Sequence, residues 1–309
     1  MKPIIVVHGG AGVISKDTPP AKTELYIAGV KEALDTGFQI LEKGGTALDA
    51  TMRAVIDFEN NSLFNAGKGA VYTSAATHEM DAAIMDGKNL NFGAVSNVCQ
   101  VKNPVLLARK VMDASSHNFL AGRGAELFAL QHGFQLVEKS YFDDEYRFEQ
   151  LLKARREGIV ARDHDVHVQA PGAKPKGTVG AVALDSSGNL AAATSTGGTT
   201  NKIPGRVGDT PVPGAGTFAD NRTCAVSCTG YGEELMKKVA AYDLHSRMIY
   251  KGLALEEAAM EVVNEHLEHD SGGLIAVDKE GRFALCFNTV GMFRGYKTAK
   301  GYGEVKIWE

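Results

Sequence analysis

Thr178 stands directly after Gly177 and opens the apolar run TVGAVALD, behind a charged, proline-bearing stretch. A threonine hydroxyl is a poor nucleophile unless a base stands beside it. Self-cleavage between Gly177 and Thr178 would supply that base, because the freed α-amine has a pKa of ~7.7–8 and belongs to the nucleophile's own residue. Glycine ahead of the threonine permits the bent approach that attack on its carbonyl requires. A threonine at the start of a core strand is also a common structural occurrence. These residues alone leave both readings open.

Other constellations are weaker. HGGAG at 8–12 follows a strand-like run, as a dinucleotide fingerprint would. That chemistry needs a helix opening directly on the glycines, so that its N-terminal amides meet a pyrophosphate. Here SKDTPPAK intervenes and the full glycine pattern is missing, so HGGAG reads as a turn. His164 and His167 in DHDVH have no further ligands nearby and read as part of a solvated loop. Cys224 and Cys228 are spaced CAVSC, not CxxC. On a strand they fall on one face ~13 Å apart, beyond bridging reach, and with Cys99 and Cys286 they read as unpaired thiols. Asn60 and Asn221 open N-x-S/T patterns, which carry no glycosylation meaning without a secretory signal, and the N-terminal apolar run is only four residues long.

The elements that must position Thr178 follow from periodicity. Residues 3–7 read as a short buried strand. A helix over about 23–43 carries Ile27, Val30, Leu34, Phe38 and Leu41 on one stripe, and Gly44 and Gly45 stop it. Thr46 and Asp49 form a capping box for a second helix. Strand-like runs follow in AVYT, HEMDAAIM and LNFGAVSNV, with a turn at Asp86-Gly87, and helices are expected over 104–114, 122–132 and 143–156. Residues 157–177 show no periodicity and read as a flexible loop. TVGAVALD and LAAATST form a hairpin about SSGN, and a glycine-rich loop at 197–217 leads to the strand RTCAVSC. Helices over 231–250 and 254–268 precede a second hairpin, GGLIAVD to RFALCF. Grouped hairpins with helices outside them imply antiparallel sheet between helix layers, not a doubly wound parallel sheet.

Composition narrows the function classes. The 309 residues carry 33 Lys plus Arg against 37 Asp plus Glu, a net charge of −4. Such a chain has no bulk attraction for nucleic-acid backbones or anionic membranes. No apolar run approaches the ~18 residues of a membrane span. A soluble, cytoplasmic protein is expected. Glycine is the anomaly, 35 of 309 residues, clustered where backbone could approach a ligand.

The motifs KGTVGAVALD, ATSTGG, NKIPGRVGDTP and SCTGYGE occur together with IIVVHGGAG, LFNAGKGAV, EMDAAIMDG, GAVSNV, NPVLLARKVM, SGGLIAVD and FNTVGMFRG. Over its whole length the chain thus resembles the plant-type (type III) asparaginase/isoaspartyl peptidase family of N-terminal-nucleophile (Ntn) hydrolases. The resemblance implies an α+β fold, an αββα sandwich of two antiparallel sheets between helix layers. It implies one domain over 1–309, matured into an α chain, 1–177, and a β chain, 178–309, and a dimer of such αβ units. The expected substrates are β-aspartyl (isoaspartyl) dipeptides and L-asparagine, with release of L-aspartate. Glycosylasparaginase is an alternative within the fold, but its nucleophile stands in HDTIG where this chain has GTVG. A non-catalytic protein binding a ligand through HGGAG is the alternative outside it.

Residue by residue, the resemblance makes Thr178 the nucleophile and Thr196 its hydroxyl partner. Thr229 and the Gly230 amide would form the oxyanion hole, and Asn65 would support Thr178. Arg206 and Asp209 would clamp the substrate's α-carboxylate and α-ammonium, with backbone groups of Gly230 and Gly232. The loop from Phe58 to Lys68 would hold a structural sodium ion through backbone carbonyls of Phe58, Glu59, Asn61, Phe64, Ala66 and Lys68, and no organic cofactor is expected. The clamp also has a physical argument of its own. A guanidinium fork matches a carboxylate, and a carboxylate three residues away can accept from an ammonium. A surface ion pair of the same two residues would be worth little.

Overall fold

The computed structural model describes residues 2–12, 14–159 and 177–309. In chain order the strands are β1 (Ile4–Gly12), β2 (Met80–Asp86), β3 (Phe92–Val98), β4 (Phe119–Ala121), β5 (Val179–Leu184), β6 (Leu190–Thr196), β7 (Thr217–Ala219), β8 (Cys224–Gly230), β9 (Gly272–Asp278), β10 (Phe283–Phe287), β11 (Gly291–Thr298) and β12 (Gly301–Lys306). The helices are α1 (Pro20–Glu42), α2 (Ala47–Asn60), α3 (Pro104–Ala114), α4 (Gly122–Gln131), α5 (Glu145–Glu157), α6 (Gly232–Lys238), α7 (Ala240–Lys251) and α8 (Leu255–Met260), the last running on as a π-helical turn, Glu261–His266.

Eight strands form one sheet in the order β12-β11-β1-β5-β6-β2-β3-β4, and β10-β9-β8-β7 form the other. All neighbours are antiparallel except β3 and β4, a parallel pair at the sheet edge. Helices α1, α2 and α3 cover the outer face of the large sheet, and α7 and α8 cover the small one. The result is the expected αββα sandwich.

The central strands are buried on both faces, so they read as continuous apolar runs. Ile5, Val7, Ala181, Ala183, Ala191 and Ala193 face the helices, while Ile4, Val6, Val182, Leu184, Leu190 and Ala192 pack between the sheets against Val226, Cys228, Leu274 and Ala276. Alanines on the helix side let α2 settle close, with its own Ala47, Ala50 and Ala54 buried. Thr46 caps α2, accepting from Asp49 N at 3.1 Å. All four cysteines are free, and Cys224 and Cys228 are buried on β8.

Several expectations need correction. HGGAG is not a turn, because β1 continues through it to Gly12, with a bulge between His8 and Gly10, paired to β11. Pro20 does not sit in a loop ahead of the first helix but is its first residue, where the missing N–H costs nothing. AVYT makes only an isolated bridge, Thr73 to Lys202. The helix expected over 231–250 breaks at Val239, which adopts φ +49° between α6 and α7. Strands β4, β7, β11 and β12 were not foreseen. The loop expected over 157–177 lies largely outside the described residues, as does DHDVH at 163–167. Glu157 itself ends α5, and Gly158 closes that helix in the left-handed region.

Candidate active site

The β5–β6 hairpin sets the centre of the site. Asp185 Oδ1 accepts from both Ser187 N and Asn189 N at 2.9 Å, which fixes the turn. The turn fixes the register, Leu184 opposite Leu190 and Val179 opposite Ser195. One residue further, Thr178 comes to stand across from Thr196, and Thr178 Oγ1 donates to Thr196 Oγ1 at 3.2 Å.

In the continuous chain the Gly177 carbonyl is gripped from two sides. Thr196 Oγ1 donates to it at 3.0 Å and Asn65 Nδ2 at 2.9 Å. Asn65 is itself fixed. Its Nδ2 also donates to Gly198 O at 2.7 Å, its Oδ1 accepts from Val71 N at 3.1 Å, and its backbone oxygen accepts from Gly197 N. Two donors aimed at the carbonyl before Thr178 can stabilise charge developing on that oxygen.

Thr229 and Gly230 arrive from the second sheet at the end of β8. Thr229 Oγ1 accepts from Ala11 N at 3.2 Å, so the end of β1, the segment read as a turn, orients this hydroxyl. Gly230 has φ +155°, and a Cβ there would lie 2.4 Å from Ser271 O, so only glycine fits. Beneath these groups a buried polar ladder joins the sheets. His8 Nε2 meets Ser227 Oγ at 2.9 Å, Ser227 Oγ meets Thr194 Oγ1 at 2.8 Å, and Thr217 Oγ1 donates to Thr194 Oγ1 at 2.7 Å. Burial holds the His8 imidazole down to about 3, with the Thr178 backbone opposing the shift. At neutral pH this ring is uncharged and a weak base.

One pocket is lined by Gly177, Thr178, Thr196, Arg206, Asp209, Gly230 and Gly232, together with Gly198, Thr199 and Gly208. The structure thus brings Gly177, Thr178, Thr196, Arg206, Asp209, Gly230 and Gly232, all singled out from sequence, to one place. The pairing differs from expectation: Arg206 Nε and Nη2 donate to the two carboxylate oxygens of Glu233 at 2.9 and 3.0 Å. Asp209 is buried, and burial pushes its carboxyl up to about 7 against the pull of Arg206. Its Oδ2 has no hydrogen-bond partner among the described residues. Gly232 passes between the two charges, and a Cβ there would lie 2.7 Å from Arg206 Nη2 and 2.9 Å from Asp209 Oδ1. Buried Lys202, whose Nζ donates to Glu79 O at 2.7 Å, and buried Asp81 complete the charge cluster. Glu233, Lys202, Asp81 and His8 were not singled out from sequence. Only Glu233 left a signal, its place directly after the TGYG motif.

The loop from Phe58 to Lys68 packs behind Asn65. Carbonyls converge there on glycines: a Cβ on Gly67 would lie 2.3 Å from Glu59 O, and one on Gly69 would lie 2.1 Å from Phe64 O and 2.6 Å from Ser62 O. The carbonyls of Glu59, Ser62 and Phe64 thus pack directly against these two glycines, where any larger residue would displace them. The Lys68 ammonium is directed elsewhere, donating to Tyr141 O and lying 4.8 Å from the centre of that ring.

Comparison with known proteins places this site in a lineage. The isoaspartyl peptidase of Escherichia coli (strain K12) is 51% identical over 298 residues, covering 96% of this chain and 92% of its own length. A probable isoaspartyl peptidase/L-asparaginase 2 of Arabidopsis thaliana is 40% identical over 99% of this chain and 98% of its own. An isoaspartyl peptidase/L-asparaginase of Bos taurus is 44% identical over 94% of this chain and 92% of its own. The family model Asparaginase_2, described as asparaginase, matches residues 1–307, and with these relatives it shows that the chain belongs to that family of Ntn hydrolases.

Proposed function

We propose that this chain is an autoproteolytically activated threonine hydrolase that cleaves β-aspartyl dipeptides and the side-chain amide of L-asparagine, releasing L-aspartate. The observation that carries this reading is the double grip on the Gly177 carbonyl, ahead of a threonine that faces a pocket lined by the Arg206 guanidinium and the Asp209 carboxylate. In processing, Thr178 Oγ1 attacks the Gly177 carbonyl carbon while Asn65 and Thr196 hold the developing oxyanion. The C–N bond breaks, the amide nitrogen becomes an amine, and water opens the resulting ester. The products are an α chain ending at Gly177 and a β chain beginning at Thr178.

The freed α-amine is then the base that His8, held neutral by burial, does not supply. It takes the Thr178 hydroxyl proton as Oγ1 attacks the substrate's β-carbonyl and passes it to the departing amine or ammonia. Thr229 Oγ1 and the Gly230 amide receive the oxyanion of this second reaction, and water releases L-aspartate from the acyl-enzyme. Arg206 takes the α-carboxylate. Asp209, which lines the pocket and whose Oδ1 lies beside Gly232, takes the α-ammonium. A sodium ion in the 58–68 loop would stiffen the segment that carries Asn65. Assembly as a dimer of αβ units and a cytoplasmic location complete the proposal.

Two measurements test it. Mass analysis of purified protein should find pieces of about 19 and 14 kDa, sharing the 32.9 kDa of the chain, with the smaller beginning TVGAV. Incubation with β-aspartyl dipeptides should then release aspartate. A fully active enzyme that remains one uncut chain would overturn the mechanism, because its general base would not exist.

A further inference from the structure

An arginine side chain offers two forks to carboxylates: a side-on edge formed by Nε with one terminal nitrogen, and an end-on edge formed by the two terminal nitrogens. Glu233 fills the side-on fork of Arg206, through Nε at 2.9 Å and Nη2 at 3.0 Å. Nη1 is turned the other way. A Cβ on Gly198 would lie 3.3 Å from Nη1 and one on Gly208 would lie 2.8 Å from it, and both glycines line the pocket beside Thr178. The edge left open therefore faces the pocket. The pair is also divided: Arg206, its side chain 13% exposed, lines the pocket, whereas Glu233, 38% exposed, is not among the lining residues and meets the guanidinium from the solvent side.

We propose that Glu233 is a positioning residue that sets substrate specificity, holding Arg206 so that its end-on fork meets the substrate's α-carboxylate. The inference rests on the assignment of Arg206 as carboxylate anchor under the proposed function. An unsupported arginine side chain has several rotors to freeze when a ligand arrives, and a bidentate partner freezes them beforehand. Glu233 is well placed for that work, in the first turn of α6, next to Gly232, whose lack of a side chain lets the guanidinium lie close. A second role follows from charge. Glu233 and the nearby Asp209 offset the positive charge of Arg206, so a carboxylate is selected by fit to a fixed fork more than by bulk attraction.

The test compares two substrates, a β-aspartyl dipeptide and its analogue whose aspartyl α-carboxyl is a carboxamide. Glu233→Ala should raise KM for the first roughly 3- to 10-fold, the cost of ordering one long side chain, with kcat within about 2-fold of wild type. On the carboxamide its kinetics should match wild type. Glu233→Gln, which keeps one acceptor, should recover part of the loss. A fall in KM for Glu233→Ala would overturn the proposal, since it would mean that Glu233 blocks the fork. An equal rise on both substrates would overturn it too, as the mark of a general structural role. Should the Ala variant fail to mature, the Gln variant alone decides by the same comparison. Arg206→Ala separates the two levels of inference. If it does not distinguish the substrates, the clamp itself is misassigned; if it does and the Glu233 variants do not, only the role of Glu233 falls.

Discussion

Asn65→Ala should leave a folded but very slowly maturing chain. The side chain supplies one of the two donors on the Gly177 carbonyl, at 2.9 Å, and the other, Thr196 Oγ1, remains. Loss of one oxyanion donor costs about 10²–10³ in rate, or roughly 2.7–4 kcal/mol of barrier. Stability also falls, because Val71 N and Gly198 O lose their Asn65 partners in a buried setting. At about 1–3 kcal/mol for each stranded group, the loss is roughly 2–6 kcal/mol. The two effects are separable. Conversion of the 309-residue chain into its 177- and 132-residue pieces can be followed on denaturing gels after a pulse of cell-free synthesis, well below the melting temperature of the variant. Circular dichroism on the same material reports whether it is folded. Asn65→Asp sharpens the comparison: its Oδ1 can still accept from Val71 N, but an oxygen replaces the donor that faces Gly177 O. It should mature no faster than the alanine variant. If either variant is cooperatively folded and matures within about 3-fold of wild type, Asn65 does not polarise the scissile carbonyl.

Further outcomes follow from the same geometry. Thr178→Ala should remain a single inactive chain with a near-native melt, since the hydroxyl makes one 3.2 Å hydrogen bond; appearance of the 19 and 14 kDa pieces would implicate a different nucleophile. Asp209 has a carboxyl raised to about 7, so the folded chain keeps its proton through a window in which the unfolded chain, at the usual 3.8, has released it. The Asp209 contribution to stability therefore falls as pH rises from about 4 to 7, while buried His8 acts in the opposite sense, so the comparison of variant with wild type isolates it: Asp209→Asn should gain on wild type across that window, and thermal melts of the two at pH 4, 6 and 8 that stay parallel would contradict this. Affinity of the matured enzyme for L-aspartate, measured by calorimetry, should weaken as pH drops below about 7, when the group that would accept the ammonium becomes protonated. For the 58–68 loop, sodium chloride should raise the melting temperature above that in choline chloride of equal strength, and Gly69→Ala, whose Cβ would collide with Phe64 O, should abolish the difference.

What the sequence made legible depended on how locally each feature is determined. The Thr178–Thr196 pair was expected from the family resemblance, and one short hairpin sets it, with Asp185 locking the turn and strict alternation doing the rest. Long amphipathic helices such as α1 and α3 were equally local. HGGAG was misread because glycines mimic a turn, while the pairing that makes them a strand comes from β11, some 280 residues away in the chain. That partner was itself obscured by glycines: Gly303 in β12 leaves room for the Tyr296 ring, which a Cβ would approach to 1.8 Å, so the tail reads as loop until its neighbour is known. Val239 gave no warning of the α6–α7 break, since no glycine or proline marks it.

The same division between local and distant determination runs through the site. Asn65, Thr196 and Gly177 meet at the Gly177–Thr178 bond, and two of those three lie within the β5–β6 unit or its lead-in. Arg206, Asp209 and Glu233 reach the pocket from a loop and from α6, after chain excursions that only the two packed sheets bring back together. Under the proposed function, maturation and substrate choice therefore fall to different sets of residues around Thr178. A substitution on the Glu233 side should alter which substrates are held while leaving the grip on Gly177 O intact, and a substitution at Asn65 should slow maturation while leaving the Arg206–Glu233 fork as it stands. That separation follows from the sandwich, which presents the start of β5 and the end of β6 from one sheet and the end of β8 with α6 from the other.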